Sequence, residues 1–532
     1  MPTVREAAFD LFRAHGMTTV FGNPGSTELP MLADFPDDFR YVLALQEAVA
    51  VGMADGYAQA SGRPAHVNLH TAPGLGNAMG AIFNAQANKA PLLVTAGQQV
   101  RAHMTMQANL TNRDATRMPH PLVKWSFEPP RAQDVPAALG RGIHLASLPP
   151  SGPVVVSLPM DDWTAEVDAG DAARTIAREV SGVAGPPADT IERLARRIVE
   201  AASPVLIAGP DIDASGGWDA AVALAERAAL PVWATPAPGG GRIGFPEDHP
   251  HFRGVLPPAI GPAGETLAGH DLVLVVGSSV FPYYPYIPGP ALADGATLVE
   301  ITRDPDEAAR APVGDAIVAD PRLALEALVA ALGETDRVAP EPLAPPDPPE
   351  RTDPMGSGEV HAVLAETLPD DAILVLEAPS SSLALRTRVR VNRPASYYFS
   401  AGGGLGFGLA AAIGVQMAEP GRPVVCVLGE GSAQYAITGF WTAAAYGVPV
   451  TFLVLRNSEY AILKWFAGME QVEGAPGLDL AALDTAGVAS AYGVSSRRVE
   501  GAAELREALS AAIASNRPEL VEIGVAPGMA LF

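Results

Sequence analysis

The sequence predicts an α/β protein with three domains, each built on a doubly wound parallel sheet. Short apolar runs rich in Val, Ile and Leu alternate with Ala-rich helical stretches, which is typical of strands buried on both faces of a parallel sheet. The 532 residues are several times the length of one ordinary domain. Two stretches interrupt the alternation, and they divide the chain into three parts of comparable size.

The predicted elements follow this alternation in chain order. Buried parallel strands are predicted at residues 42–45, 92–95, 154–157, 205–207, 272–276, 424–428 and 451–455. The first break covers residues 165–189, ahead of a predicted helix that begins at Thr190. The second, residues 340–349, is so dense in proline that it predicts a semi-rigid linker. We therefore predict domains at residues 1–170, 188–335 and 355–532, with the Pro-rich linker at residues 336–354.

The composition disfavours several classes of function. Apolar residues make up 48% and charged residues 18%, as in globular proteins and unlike disordered ones. A formal net charge of -24 repels phosphate backbones and anionic lipid headgroups, so we expect neither a nucleic-acid nor a membrane partner. An anionic substrate would meet the same repulsion, and its site must therefore supply local donors or a metal ion.

The cysteine content and the chain start favour a cytoplasmic protein. Cys426 is the sole cysteine, which excludes a disulfide within the chain and a Cys-rich metal cluster. The first residues lack a basic segment followed by an apolar stretch, and no apolar run is long enough to span a bilayer. We expect no export and no membrane anchor.

Three N-terminal positions are candidates for chemistry, although each also has an ordinary structural explanation. The Gly- and Pro-rich loop at residues 21–28 forms a sharp turn that presents Ser26 and Glu28, or it simply connects two elements. Glu47 opens an apolar helix after a strand, where it binds a ligand or complements the helix dipole. His70 ends a strand before a Gly-rich turn, and strand ends in open α/β sheets face ligand crevices.

The most specific pattern is C-terminal. A strand at residues 424–428 leads into Gly429-Glu430-Gly431-Ser432, and the strand at residues 451–455 leads to Asn457. A carboxylate and an amide at neighbouring strand ends offer hard oxygen ligands to Mg²⁺ or Ca²⁺, beside a glycine-rich helix start that suits a phosphate. An ordinary strand-to-helix turn with a solvated Glu430 is the alternative.

This pattern resembles the cofactor-binding motif of the thiamine-diphosphate (ThDP)-dependent enzymes, which is usually Gly-Asp-Gly followed by Asn. Within that family the chain resembles the benzoylformate decarboxylases, and this resemblance extends from about residue 4 to residue 525. The segments that carry it are residues 22–26, 46–48, 158–163, 250–254 and 441–468. The resemblance implies a pyrimidine-binding N-terminal domain, a central domain and a C-terminal domain that binds the diphosphate and the metal.

The resemblance also implies roles for single residues. Glu47 hydrogen-bonds N1′ of the aminopyrimidine and promotes the imino tautomer that takes the proton from C2. Ser26 binds the substrate carboxylate, His70 moves protons, and Leu405 is the apolar wedge that bends the cofactor. The metal ligands are Glu430, Asn457 and the backbone carbonyl of Glu459. Further cofactor contacts are implied for Gly403, Gly431, Ser432, Ser380, Tyr460 and Ile462, and the substrate pocket adds Tyr284, Pro379, Leu463 and Phe466.

The implied activity is the non-oxidative decarboxylation of an aromatic 2-oxo acid, benzoylformate to benzaldehyde and CO₂, with carboligation as a side activity. The implied cofactors are ThDP and Mg²⁺ or Ca²⁺. In such enzymes each active site is assembled from the opposite chain ends of two subunits. We therefore expect a dimer as the minimal unit and a dimer of dimers as the assembly.

Three positions depart from the family pattern. Glu430 replaces the usual aspartate and is one methylene longer, so either the backbone retreats slightly or the more tolerant Ca²⁺ is accepted well. We expect metal binding to survive. Tyr284 stands where the family has a second histidine, and a phenol ordinarily keeps its proton at neutral pH, so proton transfer would slow. Ile462 replaces an alanine and narrows the pocket beside the reacting carbon.

These departures leave alternatives open. A carboligase on the same fold, similar to acetolactate synthase or forming benzoin-type products, is favoured by Tyr284 because a slowly protonated intermediate survives to meet an aldehyde. A catalytically silent fold member is disfavoured by the joint presence of five residues, Ser26, Glu47, His70, Leu405 and Asn457. A flavin-dependent variant is disfavoured because the central domain has only Gly209-Pro210-Asp211 after its first strand and no Gly-x-Gly-x-x-Gly. We therefore predict a protein without FAD.

Overall fold

The computed structural model describes residues 1–236 and 241–530, which form three six-stranded sheets whose paired strands are all parallel. The predicted α/β class and the three-sheet architecture are confirmed. The strands of each sheet fall inside one of the predicted domain ranges, while the limits of those ranges stay a prediction. No helix among the described residues is both long enough and apolar enough to cross a membrane.

The first sheet has the strand order β2-β1-β3-β4-β6-β5. Its strands are β1 (Thr19–Asn23), β2 (Arg40–Leu43), β3 (Ala65–Leu69), β4 (Leu92–Gln98), β5 (Trp125–Phe127) and β6 (Val154–Pro159). The helices around it are α1 (Val4–Ala14), α2 (Leu29–Leu32), α3 (Glu47–Ser61), α4 (Thr71–Ala87), α5 (Arg101–Met104), α6 (Val135–Ser147) and α7 (Ala169–Ile176).

Helix α7 lies inside the stretch that the sequence predicts as a break. The side chain of Asp168 accepts a hydrogen bond from the backbone N–H of Asp171 and caps the helix. Ala172 packs into the core that α1 and α6 form with the first sheet. Helix α7 is therefore a short, capped, amphipathic helix that covers one edge of the core of the first domain.

The second sheet has the order β12-β11-β10-β7-β8-β9. Its strands are β7 (Pro204–Ala208), β8 (Val232–Ala234), β9 (Phe252–Val255), β10 (Leu272–Val276), β11 (Thr297–Thr302) and β12 (Asp315–Val318). Its helices are α8 (Ala188–Glu200), α9 (Pro210–Ala214), α10 (Trp218–Ala228), α11 (Ile260–Thr266), α12 (Pro305–Arg310) and α13 (Pro321–Ala331). The predicted linker follows α13, and residues 332–356 contain neither helix nor strand.

The third sheet has the order β14-β13-β15-β16-β18-β17. Its strands are β13 (Ile373–Glu377), β14 (Tyr397–Phe399), β15 (Val424–Gly429), β16 (Val450–Arg456), β17 (Ser495–Val499) and β18 (Glu519–Gly524). The helices are α14 (Ser357–Thr367), α15 (Ser382–Arg388), α16 (Phe407–Ala418), α17 (Glu430–Gln434), α18 (Gly439–Ala445), α19 (Ala461–Met469), α20 (Thr485–Ala491) and α21 (Ala502–Ala514).

Helices α3 and α16 join the first and third domains through close backbone contact. A Cβ atom at Gly414 would lie 1.8 Å from the carbonyl oxygen of Met53, and one at Gly56 would lie 2.3 Å from the carbonyl oxygen of Ala411. Only glycine fits at such distances, so these residues set how near the helices approach. Each helix starts beside a residue of the candidate site, Glu47 for α3 and Leu405 for α16.

Candidate active site

The carboxyl ends of β13, β15 and β16 open onto one large cavity of about 710 Å³. Because these strands are neighbours and parallel, the residues that follow them come together although they are far apart in sequence. The cavity wall includes every site residue that the sequence predicts in the central and C-terminal domains: Tyr284, Pro379, Ser380, Gly403, Leu405, Glu430, Gly431, Ser432, Asn457, Glu459, Tyr460, Ile462, Leu463 and Phe466.

Glu430 stands at the start of α17 and points toward the end of β16. Its side chain is 2% exposed, and its Oε1 accepts a hydrogen bond of 2.5 Å from the backbone N–H of Ser458. The Oδ1 atom of Asn457 accepts one of 3.1 Å from the N–H of Glu459. Burial raises the pKa of the Glu430 carboxyl above its ordinary value.

These residues fit a divalent cation by the chemistry of their donors. A carboxylate, an amide oxygen and the backbone carbonyl of Glu459 are hard oxygen ligands of the kind that Mg²⁺ and Ca²⁺ prefer. A nearby cation would also offset the cost of ionising the buried Glu430. Among residues 1–236 and 241–530, no group of three or more His, Cys, Asp or Glu side chains is placed to hold a metal by itself.

The side chain of Glu459 ties the predicted metal-binding turn to two later segments. Its carboxylate accepts a 2.7 Å hydrogen bond from the N–H of Gly528 and pairs with Lys464 at the second turn of α19. Lys464 also pairs with Asp479 at 2.6 Å. Several contacts therefore fix the backbone of Glu459, whose carbonyl the sequence predicts as a metal ligand.

The other end of the cavity is apolar. Ile462, Leu463 and Phe466 lie on one side of α19, and Pro379 lies opposite them after β13. Tyr284 is 63% exposed, and its ring centroid is 5.1 Å from that of Phe466. The backbone N–H of Ile462 donates to Ser380 Oγ at 3.2 Å, which fixes the start of α19 against that wall.

Glu47, the first residue of α3, is 9% exposed. Its Oε1 accepts a 3.3 Å hydrogen bond from Asn23 Nδ2, and its Oε2 accepts one of 3.1 Å from Asn77 Nδ2. Two amide donors therefore orient a carboxylate in nearly dry surroundings. The sequence did not identify either asparagine as its partner.

His70 is held in place by the loop that precedes α2. Its Nδ1 lies 2.8 Å from Glu28 Oε2 and 3.1 Å from Thr27 Oγ1. The sequence predicted that this turn presents Glu28, but Glu28 is buried, with 1% of its surface exposed. The Glu28 carboxylate also accepts a hydrogen bond from the backbone N–H of Gly25, which holds it inside the turn. A Cβ at Gly25 would lie 2.2 Å from His70 Nδ1, so the approach of loop and ring requires glycine there.

Ser26, Glu47 and His70 form one group, which we call the N-terminal cluster. Glu47 and His70 flank Gly74, whose Cβ position lies 3.3 Å from Glu47 Oε1 and 3.5 Å from the Cβ of His70. Ser26 is exposed on the loop that touches the His70 ring.

The N-terminal cluster does not line the large cavity, and nor does any other part of residues 1–236. Leu405 lines both the large cavity and a smaller one of about 230 Å³, which it shares with Gln46 and Ala48 beside Glu47. Within one chain, the structure therefore brings the predicted site residues together as two separate sets.

The sequence and the fold of this chain have close counterparts. Residues 2–118 match the thiamine pyrophosphate enzyme N-terminal TPP binding domain, residues 191–328 the central domain and residues 380–523 the C-terminal TPP binding domain. The chain is 50% identical over 524 residues to benzoylformate decarboxylase of Pseudomonas aeruginosa, which covers 98% of this chain and 99% of that protein.

Two solved structures are similar over the whole length. The ThDP-dependent 4-hydroxybenzoylformate decarboxylase of Rhodococcus jostii RHA1 is 44% identical, with a TM-score of 0.96 and 100% of both chains covered. Benzoylformate decarboxylase of Polynucleobacter necessarius is 42% identical, with a TM-score of 0.96 and 100% of both chains covered. These matches confirm the resemblance that the motifs predicted.

Proposed function

The chain belongs to the thiamine pyrophosphate enzyme family, and we propose that it decarboxylates an aromatic 2-oxo acid such as benzoylformate. The reaction breaks the bond between the keto carbon and the carboxylate, releases CO₂ and takes up one proton to give the aldehyde. The observation that carries the proposal is the large cavity, in which a hard-oxygen cation site at one end adjoins an apolar wall at the other.

The residues that line the large cavity have the chemistry that the cofactor requires. Glu430, Asn457 and the carbonyl of Glu459 would hold the cation, and Ser432 at the start of α17 would donate to a phosphate oxygen. Gly403 has a φ of +71°, and no atom lies within 4 Å of its Cβ position, so the backbone leaves room for a ligand there. When bound, ThDP supplies a cationic ring that accepts the electrons left on the keto carbon.

The apolar end of the cavity fits a neutral aryl group. The only charged side chains on the described wall are Glu430 and Glu459, both at the cation end. A substrate with a second charged group would lose its hydration there without gaining a partner. Ile462, Leu463 and Phe466 instead offer an apolar surface that an aromatic ring buries and that excludes water.

The N-terminal cluster supplies the proton-transfer groups. Glu47 would hold or release a proton at the cofactor's pyrimidine side, because two asparagine amides keep its carboxylate in one orientation. Ser26 would donate to the substrate carboxylate. His70 would exchange protons through Nε2, since its Nδ1 is occupied by Glu28.

A second copy of the chain would unite the two sets of residues. The large cavity lacks any contribution from the N-terminal cluster, while Ser26 and Leu29 of that region and Tyr435 and Leu463 at the cavity are exposed. We propose that the cluster of one subunit faces the cavity of its partner in a homodimer, and that two such dimers form the tetramer. This arrangement would bury apolar side chains at the same time as it completes the site.

The test is a product analysis with a panel of 2-oxo acids. Protein supplied with ThDP and Mg²⁺ is incubated with benzoylformate, 4-hydroxybenzoylformate, pyruvate and 2-oxoglutarate, and CO₂ and aldehydes are quantified. We expect equal amounts of CO₂ and aldehyde from the two aryl substrates and little turnover of 2-oxoglutarate. Absence of CO₂ release from any aryl 2-oxo acid would contradict the proposal.

Carboligation is the second candidate activity, and Tyr284 is the observation that favours it. This phenol stands where a histidine would deliver a proton, and it lies at the open, exposed end of the cavity where an acceptor aldehyde would enter. Benzoin-type products formed in excess of free benzaldehyde would make ligation the main reaction.

A further inference from the structure

Glu377 is a buried carboxyl group that the chemistry above does not use. It is the last residue of β13 and is 2% exposed. Its Oε1 accepts hydrogen bonds from the backbone N–H groups of Gly406 at 2.8 Å and Phe407 at 2.9 Å. Gly406 and Phe407 are the two residues that follow Leu405. The N-cap residue of α16 is Gly406, which has no side chain that could cap the helix. Glu377 therefore satisfies backbone donors at the start of this helix.

Asn84 holds the residue on the other side of Leu405. It lies in α4 of the N-terminal domain and is almost fully buried. Its Oδ1 accepts a hydrogen bond from the N–H of Gly404 at 3.1 Å, and its Nδ2 donates to the carbonyl of Gly404 at 2.9 Å. The hydroxyl of Ser400 donates to the same Oδ1 at 3.0 Å.

Leu405 is thus bracketed by two buried side chains from different domains. Asn84 binds both backbone polar groups of the residue before it, and Glu377 binds the next two N–H groups after it. Gly406 has a φ of +102°, a backbone conformation that glycine adopts readily and other residues rarely adopt. The side chain between these anchors reaches the wall of the large cavity.

We propose that Asn84 and Glu377 are positioning residues that fix the backbone around Leu405 and thereby hold its side chain against the cofactor. The proposal rests on the proposed function, since Leu405 needs a fixed position only if ThDP binds in the large cavity. The N-terminal domain would then act on the cofactor site in two ways. Its N-terminal cluster would face the cavity of the partner subunit, and its Asn84 would fix Leu405 in the same chain.

The protonation of Glu377 agrees with this role. Burial raises the pKa of Glu377 to about 8, so the group is mainly a neutral acid at pH 7. A neutral carboxyl still accepts two backbone hydrogen bonds through one oxygen, while a full negative charge would be costly in these apolar surroundings. A glutamine should therefore replace Glu377 with little loss, whereas a methionine of similar size should not.

The first test is amide hydrogen exchange in the protein without cofactor. We expect Glu377→Met to speed exchange at Gly406 and Phe407, and Asn84→Leu to speed it at Gly404, each by about tenfold or more, because the N–H groups lose their acceptors. Glu377→Gln should exchange like the wild type. Glu300→Met is the matched control. It makes the same substitution in the central domain, at a fully buried carboxyl whose oxygens accept no hydrogen bond from the described residues.

The second test is calorimetric titration of ThDP with Mg²⁺, followed by benzoylformate kinetics. We expect Glu377→Met and Asn84→Leu to weaken ThDP binding by about tenfold and to lower kcat with little change in KM, and Glu377→Gln to restore both. Asn84→Leu removes the contact that the N-terminal domain makes with Gly404, and it leaves Glu377 unchanged. The proposal therefore remains testable if Glu377→Met does not fold.

The outcomes separate this proposal from the proposed function. Wild-type exchange rates in both Glu377→Met and Asn84→Leu, or a Glu377→Gln protein as impaired as Glu377→Met, would overturn the positioning role. Failure of the wild-type protein to take up ThDP would instead overturn the proposed function, and the exchange rates would still report whether the two side chains hold the loop.

Discussion

At the residue scale, we expect Tyr284 to affect the balance between the two candidate activities. This residue is exposed at the apolar end of the large cavity, with its ring beside that of Phe466. An imidazole exchanges protons readily near neutral pH, whereas a phenol ordinarily does not. We expect Tyr284→His to raise the rate of benzaldehyde release about 3- to 10-fold and to lower the share of ligated product, as measured by chromatography of the products.

Tyr284→Phe is the matched control for that change. It removes the hydroxyl and keeps the ring, so we expect decarboxylation to stay within about twofold of the wild type if the phenol transfers no proton. A loss of activity in Tyr284→Phe as large as the gain expected from histidine would show that the tyrosine itself is the proton donor, and would contradict this interpretation.

Glu300 gives a pH dependence of stability that can be assigned to one group. It is fully buried in β11 with both oxygens unpartnered, and burial together with the nearby Glu307 raises its pKa to about 7. Between the ordinary carboxyl pKa and pH 7 the folded protein keeps this proton while the unfolded chain releases it. The wild type therefore loses stability from Glu300 as the pH rises through this range.

We expect Glu300→Gln to become more stable relative to the wild type as the pH rises from 5 to 7, by up to about 1.4 kcal/mol per pH unit. Denaturant unfolding at several pH values measures the difference. Glu192→Gln is the control, because it makes the same substitution at an exposed position. A stability difference for Glu300→Gln that does not change with pH would contradict the assignment.

Residues that follow predictable strands could be found from the sequence, and residues that act through distant contacts could not. The sequence predicted that Glu430 and Asn457 lie at one place because each follows a strand and neighbouring parallel strands end at one edge of the sheet, and both line the large cavity. Glu377 also ends a strand, yet its role depends on a loop that reaches it from about thirty residues away. Asn84 lies in the interior of a helix, where the sequence offers no sign of a partner more than three hundred residues later.

At the scale of elements, the contact between α3 and α16 links the two domains that carry the site. The helices approach so closely that backbone meets backbone at Gly56 and Gly414. The sequence predicted the strands well, because a buried parallel strand has a distinctive apolar run. It did not predict this pairing of helices, since alternating Ala and Gly residues indicate a buried helix without naming its partner.

We expect Gly414→Ala to lower the free energy of unfolding by about 2 kcal/mol or more, because the added methyl group would overlap the backbone of α3. Gly468→Ala is the matched control, since it adds the same methyl group to a helical glycine that has no atom within 4 Å of its Cβ position. That control should be neutral or stabilising by up to about 1 kcal/mol. Denaturant unfolding compares the two, and equal stabilities would contradict the close packing.

At the scale of the whole molecule, the proposed function requires two copies of the chain to combine their residues in one site. One set of groups surrounds the large cavity, and the N-terminal cluster lies elsewhere in the same chain. The family resemblance assigns both sets to one cofactor. If one cofactor needs both sets of residues, the N-terminal cluster at the cavity of one subunit must come from the partner subunit.

Complementation between two inactive variants shows whether a partner subunit supplies the N-terminal cluster. Glu47→Gln alters the N-terminal cluster and Glu430→Ala removes a proposed cation ligand, and we expect each protein alone to keep less than about 1% of the wild-type decarboxylase activity. The two chains are co-expressed with different affinity tags, and the mixed dimers are isolated through both tags. In such a dimer one site combines both substitutions, while the other combines two intact halves. We expect the mixed dimers to recover about half of the wild-type activity. Mixed dimers as inactive as their parents, with ThDP still bound, would contradict this expectation.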